Sequence, residues 1–139
     1  MKILDTDTLT LFFGGHELVV RRRQMETDEV AITIMSGIET LRGRFAMLLK
    51  AANGPELQRA QQWLNQTVNN LAAIPKVFPI DDAAAVVFDR LRENKKLKKI
   101  GRGDLIIASI TLAHRATLVT RNLKDFRQVQ GLLVENWAD

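Results

Sequence analysis

The chain has 139 residues, 46% of them apolar and 26% charged, a composition typical of one folded domain rather than of a disordered segment. It contains no cysteine, which excludes disulfides, thiolate zinc sites and a cysteine nucleophile. The net charge of +4 weakly favours an anionic partner. Acids near the start argue against a secretory leader and no apolar run is long enough to span a membrane, so we expect a cytoplasmic protein without membrane contact.

The first part of the chain alternates between strand and helix patterns. The segment KILD at 2–5 predicts a short buried strand that ends in a carboxylate. Residues 6–23 predict a helix that is interrupted at Gly14 and Gly15. The β-branched segment VAITI at 30–34 predicts a second strand.

Two long helices are expected next. Ser36 and Glu39 match a capping box, which predicts a helix from Ser36 to about residue 52. A second helix, in which Pro55 suits the first turn, is expected to run to about residue 71.

The second half continues the alternation. Asp81 or Asp82 is expected to cap a helix with a buried apolar stripe, and Asp104 opens LIIASITLA, which predicts a buried helix. Further strands are expected at 76–79, 117–120 and 132–134. The alternation predicts a single α/β domain over residues 1–139 with a mainly parallel sheet.

Polar side chains cluster where predicted strands end or helices begin: Asp5, Asp7, Glu39, Asp104, Asn122 and Asp125. In a parallel sheet these positions share one edge, where sites form. Grouped carboxylates repel one another, and a divalent cation relieves that repulsion. Oxygen ligands without His or Cys favour Mg²⁺ or Mn²⁺, which can activate water for attack on a phosphodiester.

Several of these acids also have a purely structural interpretation. Glu39 can complete the capping box, Asp104 can stabilise a helix N-terminus, and Asp7 can cap the helix that it opens. Asp5 is the hardest to explain in this way, because it ends a buried strand.

The whole chain resembles the PIN-domain ribonucleases, in particular the VapC toxins of VapB–VapC toxin–antitoxin pairs. The resemblance rests on LDTDTLT, IETLRGR, GRGDLIIASITLAH, LVTRNLKDF and GLLVENW, which occur in the family's order. It implies a three-layer α/β/α sandwich, Mg²⁺- or Mn²⁺-dependent cleavage of RNA, and a VapB-type antitoxin as partner.

The resemblance also implies a set of site residues. The family's metal-binding acids fall on Asp5, Glu39 and Asp104, and a fourth position falls on Asn122. Asp7 stands where the family commonly has Asn, which leaves the metal count open. Asp125 is a nearby acid that can substitute for Asn122, and two polar groups are expected to support the ligands: Thr6 and Thr120.

Basic residues flank the predicted site, and we expect five of them to contact RNA or the antitoxin: Arg42, Arg44, Lys98, Lys99 and Arg102. The alternative is a solvated helix end. The apolar residues Leu11–Phe13, Phe45, Leu48, Leu49, Trp63 and Leu64 are expected to lie mostly in the core, and some in a homodimer face or an antitoxin groove.

Two alternatives remain open from the sequence. Asp5-Thr6-Asp7 resembles the phosphorylated motif of haloacid-dehalogenase-like phosphatases, although Leu9 departs from that motif. The other alternative is a non-catalytic PIN-like module that only binds RNA or a protein.

Overall fold

The computed structural model describes residues 1–139, and its centre is a parallel five-stranded sheet. The strands are β1 (Lys2–Leu4), β2 (Val30–Thr33), β3 (Val77–Phe78), β4 (Thr117–Val119) and β5 (Leu133–Glu135). Their order is β3-β2-β1-β4-β5, and each neighbouring pair is parallel. The predicted parallel α/β architecture is therefore confirmed.

Seven α-helices surround this sheet. They are α1 (Thr6–Phe13), α2 (Glu17–Met25), α3 (Ile34–Lys50), α4 (Gly54–Ala72), α5 (Asp82–Glu93), α6 (Arg102–Ala113) and α7 (Leu123–Phe126). A short 3₁₀ turn at Lys95–Leu97 precedes α6. None of these helices has the length and apolar character needed to cross a membrane.

The two faces of the sheet carry separate apolar cores, because successive strand residues point to opposite sides. One face packs Ile3, Ala31 and Leu118 with buried residues of α5 and α6. The other packs Leu4, Ile32 and Val119 with buried residues of α1 and α2. This arrangement is the expected three-layer α/β/α sandwich.

The predicted capping box is wrong. The Oγ1 atom of Thr33 accepts a hydrogen bond of 3.2 Å from the backbone N–H of Ser36, so Thr33 is the N-cap and α3 begins at Ile34. Ser36 therefore lies inside the first turn, at the position that would close a capping box, and Glu39 lies three residues too late to close it. Glu39 is left without a capping role.

Other boundaries differ by smaller amounts. The interruption at Gly14 and Gly15 is confirmed and divides the predicted helix into α1 and α2, but α2 extends to Met25. Strand β5 begins one residue later than predicted. Gly101 is the N-cap of α6, which places Asp104 third in the helix. The short helix α7 was not predicted.

The expectation that most of the surplus apolar residues lie in the core is wrong for the α3–α4 hairpin. Phe45, Leu49 and Trp63 are 53%, 71% and 41% exposed. Leu11, Phe12, Phe13, Leu48 and Leu64 are half-buried. The helical pattern of this hairpin marks an apolar face, but within the monomer no element covers that face.

Candidate metal centre

The site lies where the order of the strands changes direction. From β1 the chain proceeds to β2 and β3 on one side, and β4 then pairs with the other side of β1. Such a switch point opens a crevice beyond the carboxyl ends of the strands. Asp5 directly follows β1 and Thr120 directly follows β4, so both residues stand at this crevice.

Asp5 is a buried carboxylate that also begins α1. It is 5% exposed, and its Oδ1 accepts a 2.8 Å hydrogen bond from the backbone N–H of Thr8. Burial raises the pKa of Asp5, while hydrogen bonds from Thr120 and Thr8 act in the opposite direction. Burial of a carboxylate is unfavourable unless it is paired or binds a metal, so Asp5 is more than a helix cap.

Glu39 is fixed by residues from two other helices. The Thr6 hydroxyl of α1 donates a 2.6 Å hydrogen bond to Glu39 Oε1. On the other side, a Cβ atom added to Gly103 of α6 would lie only 2.9 Å from Glu39 Oε2. Gly103 therefore lets the Glu39 carboxylate approach the first turn of α6, a role that the sequence analysis missed and that no sequence signal marked.

Asp104 shows how closely the acids are grouped. Burial first, and then the negative charges of Asp5, Glu39, Asp7 and Asp125 in that order, together raise its pKa to about 6. Asp104 is thus a carboxylate whose ionised form is disfavoured by its neighbours, as expected where a cation has to be bound.

Asn122 is held by its neighbours on both sides. Its backbone N–H donates to Thr120 Oγ1 at 2.9 Å, and its side-chain amide donates to Asp125 Oδ2 at 2.9 Å. Asp125 therefore orients the amide of Asn122, and Thr120 contacts both the Asn122 backbone and the Asp5 carboxylate. The sequence analysis had instead offered Asp125 as a substitute for Asn122.

Six of the predicted site residues, but not Thr120 or Asp125, line one polar pocket of about 220 Å³ that contains no apolar side chain. Its lining consists of Asp5, Thr6, Asp7, Glu39, Asp104 and Asn122. We call it the acidic pocket. The structure contains no group of three or more His, Cys, Asp or Glu side chains already arranged to hold a metal ion.

The donor set nevertheless fits Mg²⁺ or Mn²⁺. Apart from the amide nitrogen of Asn122, every polar side-chain atom that could bind a metal in the acidic pocket is an oxygen. Mg²⁺ keeps several waters and uses one or two carboxylates rather than a closed protein cage. An open pocket with crowded carboxylates is compatible with that mode of binding.

The predicted basic contacts lie outside the acidic pocket. Lys98, Lys99 and Arg42 are exposed, and the exposed Arg102 places its guanidinium 5.5 Å from the centre of the Phe88 ring. Arg44 turns toward α4, where it donates to the buried hydroxyl of Thr67 at 3.1 Å. None of these residues lines the acidic pocket, and their predicted contact with RNA or a partner stays a prediction.

Comparison with known proteins agrees with this fold. No family model matches the chain. A segment of 38 residues is 53% identical to Ribonuclease VapC2 of Rickettsia felis, and the match spans 28% of that relative's length. The structure of VapBC2 from Rickettsia felis bound to a promoter DNA fragment matches with a TM-score of 0.78 and 22% identity, covering 98% of each chain.

The chain has the fold found in VapBC toxin–antitoxin complexes. VapBC-1 from nontypeable Haemophilus influenzae matches over 99% of this chain and 98% of its own, with a TM-score of 0.74 and 19% identity. VapBC-5 from Mycobacterium tuberculosis matches over 97% and 95%, with a TM-score of 0.57 and 25% identity. The predicted resemblance to the VapC toxins is thus confirmed at the level of the fold, which matches over nearly the whole chain.

Proposed function

We propose that this protein is a metal-dependent endoribonuclease of the VapC toxin type, inhibited by a cognate VapB-type antitoxin. The observation that carries the proposal is the acidic pocket, where burial and neighbouring carboxylates raise the pKa of Asp104 to about 6. The fold shared with VapBC complexes and the segment similar to a ribonuclease support the same activity.

Asp5, Glu39 and Asp104 would hold one or two Mg²⁺ or Mn²⁺ ions, directly or through water, and Asp7 is a further candidate ligand. When bound, the cation would neutralise charge on the scissile phosphodiester and make a water molecule more nucleophilic. The overall reaction is hydrolysis of RNA to a 5′-phosphate and a 3′-hydroxyl.

The chain's own residues keep this pocket ready for a cation. Thr6 holds Glu39 in one orientation, while Thr8 and Thr120 hold Asp5. Asp125 fixes the amide of Asn122, which can then orient a water or a phosphate oxygen. Asp5 and Glu39 are thereby held facing the pocket.

The basic residues around the pocket would attract the RNA backbone. Lys98, Lys99 and Arg102 are exposed just before and at the beginning of α6, whose third residue is Asp104. Each phosphate that they neutralise on a single strand would add about −0.7 to the slope of log affinity against log salt.

The antitoxin would block the acidic pocket by placing an Arg or Lys side chain against its carboxylates. The exposed Phe45 and Leu49 of the α3–α4 hairpin fit a homodimer face, which stays a prediction. Adding the cognate antitoxin in equal amount should abolish cleavage, and cleavage that continues in its presence would refute the inhibitor role.

The proposal is tested by incubating total RNA with the purified, antitoxin-free protein in Mg²⁺, Mn²⁺ or EDTA, beside Asp5→Asn. We expect discrete fragments that require the metal and are absent with the variant. A folded wild-type protein that binds RNA without a cation and cleaves none would instead favour a non-catalytic RNA-binding module. Trapping of an acyl phosphate on Asp5 would favour the phosphatase alternative.

A further inference from the structure

A second polar groove continues the acidic pocket along α3. It has a volume of about 230 Å³ and shares Thr6 and Glu39 with the acidic pocket. Beyond these shared residues it is lined by Thr10, Thr40, Gly43, Arg44 and Met47. We call it the Arg44 groove. A strand that places one phosphate over the acidic pocket would have to leave through a neighbouring groove of this kind.

The Arg44 groove holds a positive charge that forms no ion pair with Glu39, the one carboxylate in its lining. Arg44 takes part in none of the ion pairs of the structure. Its Nε donates to the buried Thr67 hydroxyl at 3.1 Å, and its Nη1 lies 3.5 Å from Met47 Sδ. The guanidinium is thus held in place while still free to bind an anion, and a fixed guanidinium suits a phosphate.

An exposed aromatic ring lies directly beside this charge. The guanidinium carbon of Arg44 is 5.7 Å from the centre of the Trp63 ring, and Trp63 is 41% exposed. Trp63 lines a further groove that meets the Arg44 groove at Met47. Exposed aromatic rings beside basic groups are the usual platform on which single-stranded nucleic acids stack their bases.

We propose that the Arg44 groove and Trp63 form a nucleotide subsite next to the cleavage point, in which Arg44 binds a phosphate and Trp63 stacks a base of single-stranded RNA. The inference rests on the proposed ribonuclease function and adds to it the direction in which the strand leaves the pocket. It also gives Trp63 a role other than core or dimer packing.

Tryptophan fluorescence provides a direct test, because the chain has only two Trp residues and Trp137 is 1% exposed. The test uses Asp104→Asn protein, which we expect to bind RNA without cleaving it, and a short single-stranded RNA of mixed sequence. We expect saturable quenching of the emission. Trp63→Ala lacks the reporting ring, so its affinity is measured by the fluorescence anisotropy of dye-labelled RNA, and it should bind about tenfold more weakly than the parent protein.

Matched variants separate stacking from damage to the fold. Val68 lies on the same helix and is 48% exposed, so Val68→Ala should leave the affinity unchanged. Trp63→Phe, which keeps an aromatic ring, should weaken binding less than Trp63→Ala. Equal binding by Trp63→Ala and the parent protein would overturn the stacking role.

The role of Arg44 has its own readout. Arg44→Ala should reduce the slope of log affinity against log salt by about 0.7, as expected for one lost phosphate contact. Thr67→Val, which frees the guanidinium but keeps its charge, should lower the affinity without changing that slope. An unchanged slope in Arg44→Ala would exclude a phosphate contact.

Failure of the subsite can be distinguished from failure of the proposed function. If the wild type cleaves RNA but RNA never quenches Trp63, the subsite is wrong and the ribonuclease function stands. If the wild type neither cleaves nor binds RNA, both are wrong. Quenching by the cognate antitoxin but never by RNA would make the groove a protein-docking surface and also overturn the subsite.

Discussion

At the scale of single residues, Glu39 is positioned by small neighbours rather than by its own helix. The Thr6 hydroxyl donates to one of its carboxylate oxygens, and the missing side chain of Gly103 makes room for the other. A hydrogen bond to a charged group contributes more than one between neutral groups, so Thr6 has a measurable role in holding the site.

We therefore expect Thr6→Val to reduce the rate of RNA cleavage about tenfold, because Glu39 loses its 2.6 Å hydrogen bond while the volume of the side chain is kept. Thr6→Ser, which keeps the hydroxyl, should retain most of the activity. The initial rate of cleavage in Mg²⁺ measures both. If Thr6→Val were as active as the wild type, Glu39 would not depend on this contact.

Asp104 links the site to the stability of the metal-free protein. Burial first, and then the neighbouring carboxylates, raise its pKa from 3.8 to about 6. The folded chain therefore takes up a proton at a higher pH than the unfolded chain does. The unfavourable contribution of Asp104 is fully present above pH 6 and is lost as the pH falls toward 4.

It follows that Asp104→Asn should stabilise the metal-free protein at pH 7.5. We expect the free energy of unfolding to rise by about 1 kcal/mol. This is less than the full shift in the pKa of Asp104 would give, because its carboxyl is partly exposed to solvent. The difference should shrink near pH 4, as urea unfolding in EDTA at the two pH values would show. A variant less stable than the wild type at pH 7.5 would instead give Asp104 a structural role.

At the scale of elements, the entrance to α3 determines where Glu39 lies. Thr33 is fully buried and caps the helix from the end of β2, so the strand leads into the helix without a loop. The start of α3 at Ile34 places Glu39 in its second turn, opposite Thr6. A helix capped at Ser36 would have used Glu39 to close its own end.

Thr33→Ala should lower the free energy of unfolding by about 1 kcal/mol, the usual effect of losing an N-cap hydroxyl. Ser36→Ala, which loses the contact of its hydroxyl with Thr6 Oγ1, should lower the free energy of unfolding by less than Thr33→Ala does. Urea unfolding of both variants measures the difference. A larger loss in Ser36→Ala would support the capping box that the structure contradicts.

Sequence patterns were sufficient for the major elements but not for their ends. Strand ends and helix starts correctly grouped Asp5, Glu39 and Asp104, because parallel strands bring their carboxyl ends to one edge. Thr33 was not recognised as an N-cap because it lies within a β-branched run. Helix α7 was not predicted because its four residues are too few to show a helical period. Contacts between helices, such as Thr6 with Glu39, depend on a register that no single pattern encodes.

At the scale of the whole molecule, the central position of β1 between β2 and β4 creates the acidic pocket. The exposed apolar face of the α3–α4 hairpin and the Arg44 groove lie on the helices that lead away from it. The sequence predicted surplus apolar residues but not which of them are exposed, because periodicity identifies an apolar face without identifying what covers it.

The central claim is that the carboxylates of the acidic pocket act together on a divalent cation. The most direct test is the affinity for Mn²⁺, followed by the electron paramagnetic resonance signal of the free ion. Asp81→Asn is the matched control, because Asp81 caps α5 outside the pocket. We predict that Asp104→Asn binds Mn²⁺ at least about tenfold more weakly than the wild type, whereas Asp81→Asn binds it equally well. Equal affinity in the wild type and Asp104→Asn would contradict the account.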